Sequence, residues 1–150
     1  MIIRNAAPRD ASAWASMRAR LWPDADPAEL AREARAFFDG VQAATVQVVF
    51  VAAEDGAAPV GFIELAVRAF SDGCVSSPVP HIEGWYVEPP ARGRGIGRRL
   101  IEAAEAWSRA HGFSELASDT DVDNTASLRA HEACGFAEVE RLIKFRKPLA

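Results

Sequence analysis

The sequence predicts an α/β fold built on one mixed sheet, with elements in the order β-αα-βββ-α-β-α-β. Two observations carry that reading. Short β-branched and apolar runs alternate with stretches of helical periodicity. Past the middle of the chain, an apolar run leads through alternating glycines and arginines into a long helical pattern. The 150 residues show no internal repeat or low-complexity linker. Residues 1–150 are therefore read as one domain, able to bury roughly 70% of its unfolded surface.

Ile2 to Asn5 is a short strand. Pro8 suits the first turn of a helix, and Trp14, Met17 and Leu21 continue a helical stripe to about Trp22, where Pro23 breaks it. Asp26-Pro27 caps and starts a second helix through Phe37 and Phe38, ending near Gly40. Val46 to Ala53 and Val60 to Val67 read as hairpin strands around the turn signal Asp55-Gly56. Residues 69 to 80 are loop-like, and Ile82 to Val87 is a central strand. A helix over 95–111 follows, with Gly112 as its C-cap. Glu115 to Ser118 is a short strand, Asn124 to Ala133 a short helix stopped by Gly135, and Val139 to Arg146 a final strand or strand pair.

The hydrophobic fraction of 49% is ordinary for a compact protein, and the formal charge is −4. That charge argues against nucleic acid or an anionic membrane as partner and suits a cationic ligand. Cys74 and Cys134 give neither a disulfide framework nor a zinc-ligand spacing, so no metal is expected. No segment reaches the ~20 apolar residues needed to span a bilayer, and the N-terminus lacks a long apolar core. The expected location is cytoplasmic.

The chemistry concentrates between Val87 and Leu100. Gly93, Gly95 and Gly97 alternate with Arg92, Arg94 and Arg98. Without Cβ atoms, such a loop brings backbone N–H groups against phosphate oxygens, and the helix starting there adds unpaired N–H groups and the positive end of its dipole. Arginines supply forked donors for the same oxygens. The stretch lacks the Gly-Lys-Ser or Gly-Lys-Thr of a P-loop, and its third glycine falls one residue early for a Rossmann fingerprint.

What fits is Arg-x-x-Gly-x-Gly at Arg92, Gly95 and Gly97, which resembles the acyl-coenzyme A loop of the GNAT acetyltransferase superfamily. Asn124-x-Ala126 through His131, Cys134, Gly135 and Phe136 resembles that superfamily's Asn…Leu-Tyr-Glu-Lys-Leu-Gly-Phe segment. His131 stands here where tyrosine is usual. A narrower resemblance, to the aminoglycoside 6'-N-acetyltransferases of Gram-negative bacteria, spans essentially the whole chain. It is carried by Leu21-Trp22-Pro23, Asp72-Gly73-Cys74, Glu83-Gly84, Ala117-Ser118-Asp119-Thr120, Asn124-Thr125, Glu140-Arg141 and Arg146-Lys147.

The resemblance implies acetyl transfer from acetyl-coenzyme A, as co-substrate, to the 6'-amine of an aminoglycoside, giving antibiotic resistance, and a homodimer. It implies coenzyme contacts at Trp85, Tyr86, Val87, Arg92, Gly93, Arg94, Gly95, Ile96, Gly97, Arg98 and Asn124. Substrate contacts are implied at Trp22, Glu83, Asp119 and Glu140, with Phe70 in place of a relative's tyrosine. Independently, a polycationic sugar calls for carboxylates and an aromatic wall, and Glu83, Asp119 and Glu140 lie on or just after strands that can aim them into one cleft. Each carboxylate has an ordinary alternative as a solvated charge, and Trp22 as a core residue.

Mechanistically, Glu83 or Asp119 is the candidate base, through water, for an amine that attacks the thioester directly. The Val87 N–H is the candidate donor to the thioester carbonyl. His131 either protonates the departing thiolate or packs and hydrogen-bonds. Other amine acceptors, a polyamine or a peptide N-terminus, remain alternatives, as does a non-catalytic acyl-coenzyme A sensor.

Overall fold

The dense apolar runs become strands. In the computed structural model, which describes residues 1–41 and 45–150, β1 (Ile2–Asn5), β2 (Val46–Ala53), β3 (Gly61–Arg68) and β4 (Val79–Val87) form an antiparallel sheet in the order β1-β2-β3-β4. The hairpin between β2 and β3 turns at Asp55-Gly56 as expected. A single 3-10 turn, Pro8–Asp10, precedes α1 (Ala11–Leu21), so Pro8 opens the turn rather than the α-helix. In α2 (Pro27–Phe38) the Asp26 carboxylate accepts from the Ala28 N–H, the cap that its sequence predicts. The remaining helices are α3 (Ile96–Ala110) and α4 (Thr125–Ala133).

Strand alternation sorts the core into two layers. Ile63, Leu65 and Ile82 face α3, packing on Ile96, Leu100, Ile101 and Ala104. Val49, Val51 and Phe62 face α1 and α2, packing on Trp14, Met17 and Ala34. Edge-to-face stacking of Trp14 on Phe37 and Phe38 fills the second layer.

One charged group sits inside that second layer. Glu64 of β3 is 1% exposed, and its Oε2 accepts from Trp14 Nε1 at 2.9 Å. Arg18 of α1 brings Nη2 to 3.4 Å from Oε1. Its Nε lies 3.1 Å from Oε2, an ion-pair contact without hydrogen-bond alignment. Burial pushes the Glu64 carboxyl up, opposed by Arg18 and Trp14. Removing one partner would strand a buried charge at a cost of about 3–5 kcal/mol. The guanidinium also stacks 5.1 Å from the centre of the Trp22 ring, so the pair fixes the end of α1.

Two expected strands come out differently. At 115–118 only Ala117 pairs, in an isolated parallel bridge to His81, with Ile82 N–H donating to Ala117 O (2.8 Å) and Ala117 N–H to Pro80 O (2.9 Å). Pro80 explains how β4 extends three residues earlier than expected: its missing N–H falls where only its carbonyl is needed. Residues 139–146 form no strand, and all of 137–150 is exposed. The segment touches the rest of the chain where Val139 lies against Gly73. It carries Leu142, Ile143, Phe145 and Leu149 outward, at 57%, 80%, 91% and 88% exposure. An alternating apolar segment of this kind needs a partner strand.

Candidate active site

A bulge in β4 organises the site. Glu64 pairs with Gly84 and the next residue of β3, Leu65, with Ile82, which leaves Glu83 as the extra residue. Bulges redirect a side chain and raise local twist. Here Arg68 grips the redirected carboxylate: its Nε and Nη2 donate to Glu83 Oε1 and Oε2, both at 2.9 Å. This side-on pair uses two of the four lone-pair positions and leaves two for an incoming donor.

Trp22, at the end of α1, lies against Gly84, the residue after Glu83. A Cβ on Gly84 would come within 3.1 Å of the Trp22 ring and 3.0 Å of Phe62, so glycine lets the indole settle on the strand without either ring giving way. Asp119 follows the Ala117 bridge, and the contact with His81 comes first among the influences that hold its carboxyl below the ordinary range, with Arg68 and Lys144 adding their charge. The fold thus brings Glu83 and Asp119 to either side of His81, with Arg68 on Glu83 and Trp22 against the next residue of β4; Arg68 and His81 are the two that sequence reasoning missed. The available signal was spacing: His81 stands two residues before Glu83 on an apolar strand.

Glu140 does not join them within the chain. It is exposed in the unpaired tail, because the strand expected to position it does not form. Phe70 is 71% exposed on the loop after β3. Glu115 buckles that loop from the other side, accepting from the N–H groups of Val75 (2.9 Å) and Ser76 (2.6 Å) and from the Ser76 hydroxyl.

At the far end of β4 the glycine loop takes shape. Glu88 N–H donates to Val60 O at 2.8 Å, closing the ladder to β3. By the two-residue period of an antiparallel ladder, the Val87 N–H then points to the opposite, open edge. Gly93 and Gly95 both adopt φ +75°, with nothing within 4 Å of where a Cβ would stand. α3 starts at Ile96 with Gly95 as its N-cap, and its first bond runs from Arg99 N–H to Gly95 O at 3.1 Å. The N–H groups of Ile96, Gly97 and Arg98 therefore have no acceptor within the helix.

The arginines are partly engaged. Arg92 Nε donates to Val87 O at 2.7 Å, with its guanidinium over the Tyr86 ring, and Arg98 Nη2 donates to Ala133 O at 2.5 Å. Arg94 is exposed. Trp85 Nε1 donates to Gly97 O at 3.2 Å, bracing the first turn of α3. The Asn124 side chain accepts from Ser127 N–H at 3.1 Å as the cap of α4. The Tyr86 hydroxyl donates to Glu88 at 3.2 Å, and burial raises its pKa.

His131 has both ring nitrogens in use. Nδ1 lies 2.7 Å from Ser127 O, an acceptor only, so it carries the proton; Nε2, at 2.7 Å from Ser118 Oγ, accepts from the hydroxyl. Its edge packs on Trp85 and Phe136, with ring centres 5.3 Å away in each case. This geometry favours packing over proton donation. His131→Ala is accordingly expected to leave the shape of the kcat–pH profile unchanged, read by thiol release from pH 6 to 9. Loss of the basic limb in the variant would restore the acid role.

Among the described residues, no group of three or more His, Cys, Asp or Glu is placed to hold a metal ion. No helix among them is long and apolar enough to cross a membrane.

The acetyltransferase (GNAT) family model matches residues 13–136. An aminoglycoside N(6')-acetyltransferase type 1 of Stenotrophomonas maltophilia is 46% identical over 149 residues, covering 98% of this chain and 93% of the relative. One of Klebsiella aerogenes is 44% identical over 148 residues, covering 99% and 97%. The solved structure of AAC(6')-Iy in complex with the bisubstrate analogue CoA-S-monomethyl-acetylneamine has a TM-score of 0.86 at 34% identity, covering 98% of this chain and 97% of that one.

Proposed function

Because this chain belongs to the acetyltransferase (GNAT) family, we propose that it acts as one domain that transfers acetyl from acetyl-coenzyme A to the 6'-amine of aminoglycoside antibiotics, so conferring resistance. The observation that supports the acceptor assignment is the pair of carboxylates, Glu83 and Asp119, on either side of His81, with Trp22 against the next residue of the strand that runs straight into the glycine loop. A carboxylate pair and an indole suit a sugar bearing several ammonium groups.

The residues at hand fit the coenzyme. Three unpaired N–H groups at the start of α3, two glycines with open approach and the positive helix end suit its pyrophosphate. When bound, the coenzyme supplies an acetyl thioester. The Val87 N–H on the open edge of β4 is oriented to donate to a carbonyl oxygen lying along that edge. Glu83 takes the proton that the substrate's ammonium must lose before its nitrogen can attack. Direct attack is favoured because burial pushes both the Cys74 and Cys134 thiols up, leaving little thiolate for a covalent route.

Thiol release measured with kanamycin, tobramycin, spermidine and a tripeptide tests the reading. Turnover with the aminoglycosides well above the other two is the expected result. Preference for spermidine or the tripeptide would reassign the acceptor, and coenzyme binding without turnover on any amine would make the protein a sensor.

The exposed apolar tail supports a homodimer in which 137–150 pairs with a second copy. Deleting these residues is expected to convert a dimer into a monomer in light scattering; a full-length monomer at micromolar concentration would refute the dimer. A cytoplasmic location belongs to the same reading, supported by the two free thiols.

A further inference from the structure

His81 is fixed from both sides of β4. Its backbone pairs with Ala66 of β3 and bridges Ala117 on the opposite edge. Its side chain is 3% exposed, wedged between two carboxylates: Nε2 lies 3.4 Å from Asp119 Oδ2, and Nδ1 lies 3.6 Å from Glu83 Oε1. Nδ1 is buried with no hydrogen-bond partner. In a folded protein such an atom calls for an explanation.

The ring's surroundings supply one. Two ionised carboxylates offer only acceptors, so a neutral imidazole between them can donate to one of them. Nε2, at 3.4 Å from Asp119 Oδ2, is the ring nitrogen nearer a carboxylate, and Nδ1 is the one left without a partner, so the ring proton is assigned to Nε2. Nδ1 is then a bare lone pair facing Glu83. That buried acceptor finds a donor in one state of the site, the state in which Glu83 has just taken up a proton. The other charged groups that act on these two carboxylates are Arg68 on β3, paired with Glu83 and also acting on Asp119, Glu64 on β3, which acts on Glu83 and is paired with Arg18 of α1, and Lys144 in the tail, which acts on Asp119.

We infer that His81 receives from Glu83 the proton removed from the substrate ammonium, and holds it as an imidazolium between Glu83 and Asp119 while the amine attacks. The inference rests on Glu83 being the base for an amine acceptor. The substrate N–H bond breaks as a Glu83 O–H bond forms; the protonated carboxyl closes the 3.6 Å gap to hydrogen-bond length, and its O–H bond then breaks as the proton is bound at Nδ1. Nε2 keeps its own proton, so both ring N–H groups face carboxylates. After product leaves, the Nδ1 proton returns through Glu83 to water, and the neutral ring is restored with no electron transferred and no tautomer exchanged. Asp119, with 77% of its side chain exposed, stabilises the cation. His81 thus acts through Glu83 as a positioning residue that makes it a stronger net proton acceptor than one carboxylate alone.

The test uses wild type, His81→Gln and His81→Ala, each shown to be folded by its calorimetric coenzyme A binding. Thiol release with kanamycin is followed across pH, with and without added imidazole. The expected outcome is a kcat at least tenfold lower in both variants, within the reach of acid–base effects of roughly 10²–10⁴-fold, while kanamycin KM changes little. The acidic limb of the kcat–pH profile should move to lower pH, because a carboxylate replaces an imidazole as final acceptor. Imidazole should restore much of the kcat of His81→Ala. Unchanged kcat and acidic limb would overturn the inference. So would a loss confined to KM, or one that glutamine repairs and imidazole does not, since either marks a space-filling clip. Failure of the aminoglycoside reading looks different: wild type itself would release no thiol with kanamycin. The same variants assayed with whichever amine wild type accepts then decide on His81.

Discussion

Glu83→Gln is expected to lower kcat/KM for kanamycin by roughly 10²–10⁴-fold, the range for removing a general base, while coenzyme A affinity stays the same. The amide keeps the size of the carboxylate and one acceptor oxygen for Arg68, so the bulge in β4 and the seat of Trp22 on Gly84 should survive. What is lost is the ability to take a proton. Arg68 leaves two lone-pair positions of the carboxylate open to take that proton. A merely attractive charge would show itself mainly in KM, through weaker capture of the cation. A base shows itself in kcat. A fall in kcat of less than threefold, measured by thiol release at saturating kanamycin, would dismiss Glu83 as base and leave Asp119 as the candidate.

Much of this arrangement was legible in the sequence, and the reasons are local. Ile2–Asn5 and Val46–Ala53 carry their own β signal, and the Asp26-Pro27 cap and the glycine loop are punctuation that few alternative structures tolerate. The placement of the candidate residues was legible where a residue's position followed from its strand. Glu83 and Asp119 fall where β4 and the Ala117 bridge put them. Three features were not legible. The bulge at Glu83 depends on pairing with β3, which no single-strand pattern reveals. The partners Arg68 and His81 come from a neighbouring strand and from two residues upstream, and neither has a motif. The tail has a good alternating pattern at 139–146, but a strand needs a partner, and it pairs with none among the described residues. Glu140 was therefore assigned to a cleft that one copy does not build for it.

Gly95→Val is expected to weaken coenzyme A binding at least tenfold, about 1.4 kcal/mol, measured by calorimetry, with acetyl transfer falling in step. Gly95 holds φ +75°, ψ +7° as the N-cap of α3. For a β-branched residue that left-handed conformation is a genuine outlier, costing roughly 1–2 kcal/mol. Nothing lies within 4 Å of the new Cβ, so a collision of that atom with the protein is not the cause of the loss. The chain instead escapes the strain by rotating the loop, and this turns the N–H groups of Ile96, Gly97 and Arg98 away from a common focus. The valine side chain also stands where phosphate oxygens must approach. Stability should change little, because Leu100 and Ile101 still anchor α3 in the core and the Trp85 indole still braces its first turn. Gly112→Val is the matched control: it places the same residue at a positive φ, +81°, beyond the other end of α3 and away from the loop, so it shares the backbone strain without touching coenzyme affinity. Equal affinity in Gly95→Val and wild type would mean that these amides do not grip the pyrophosphate, and the assignment of the loop would fall with them.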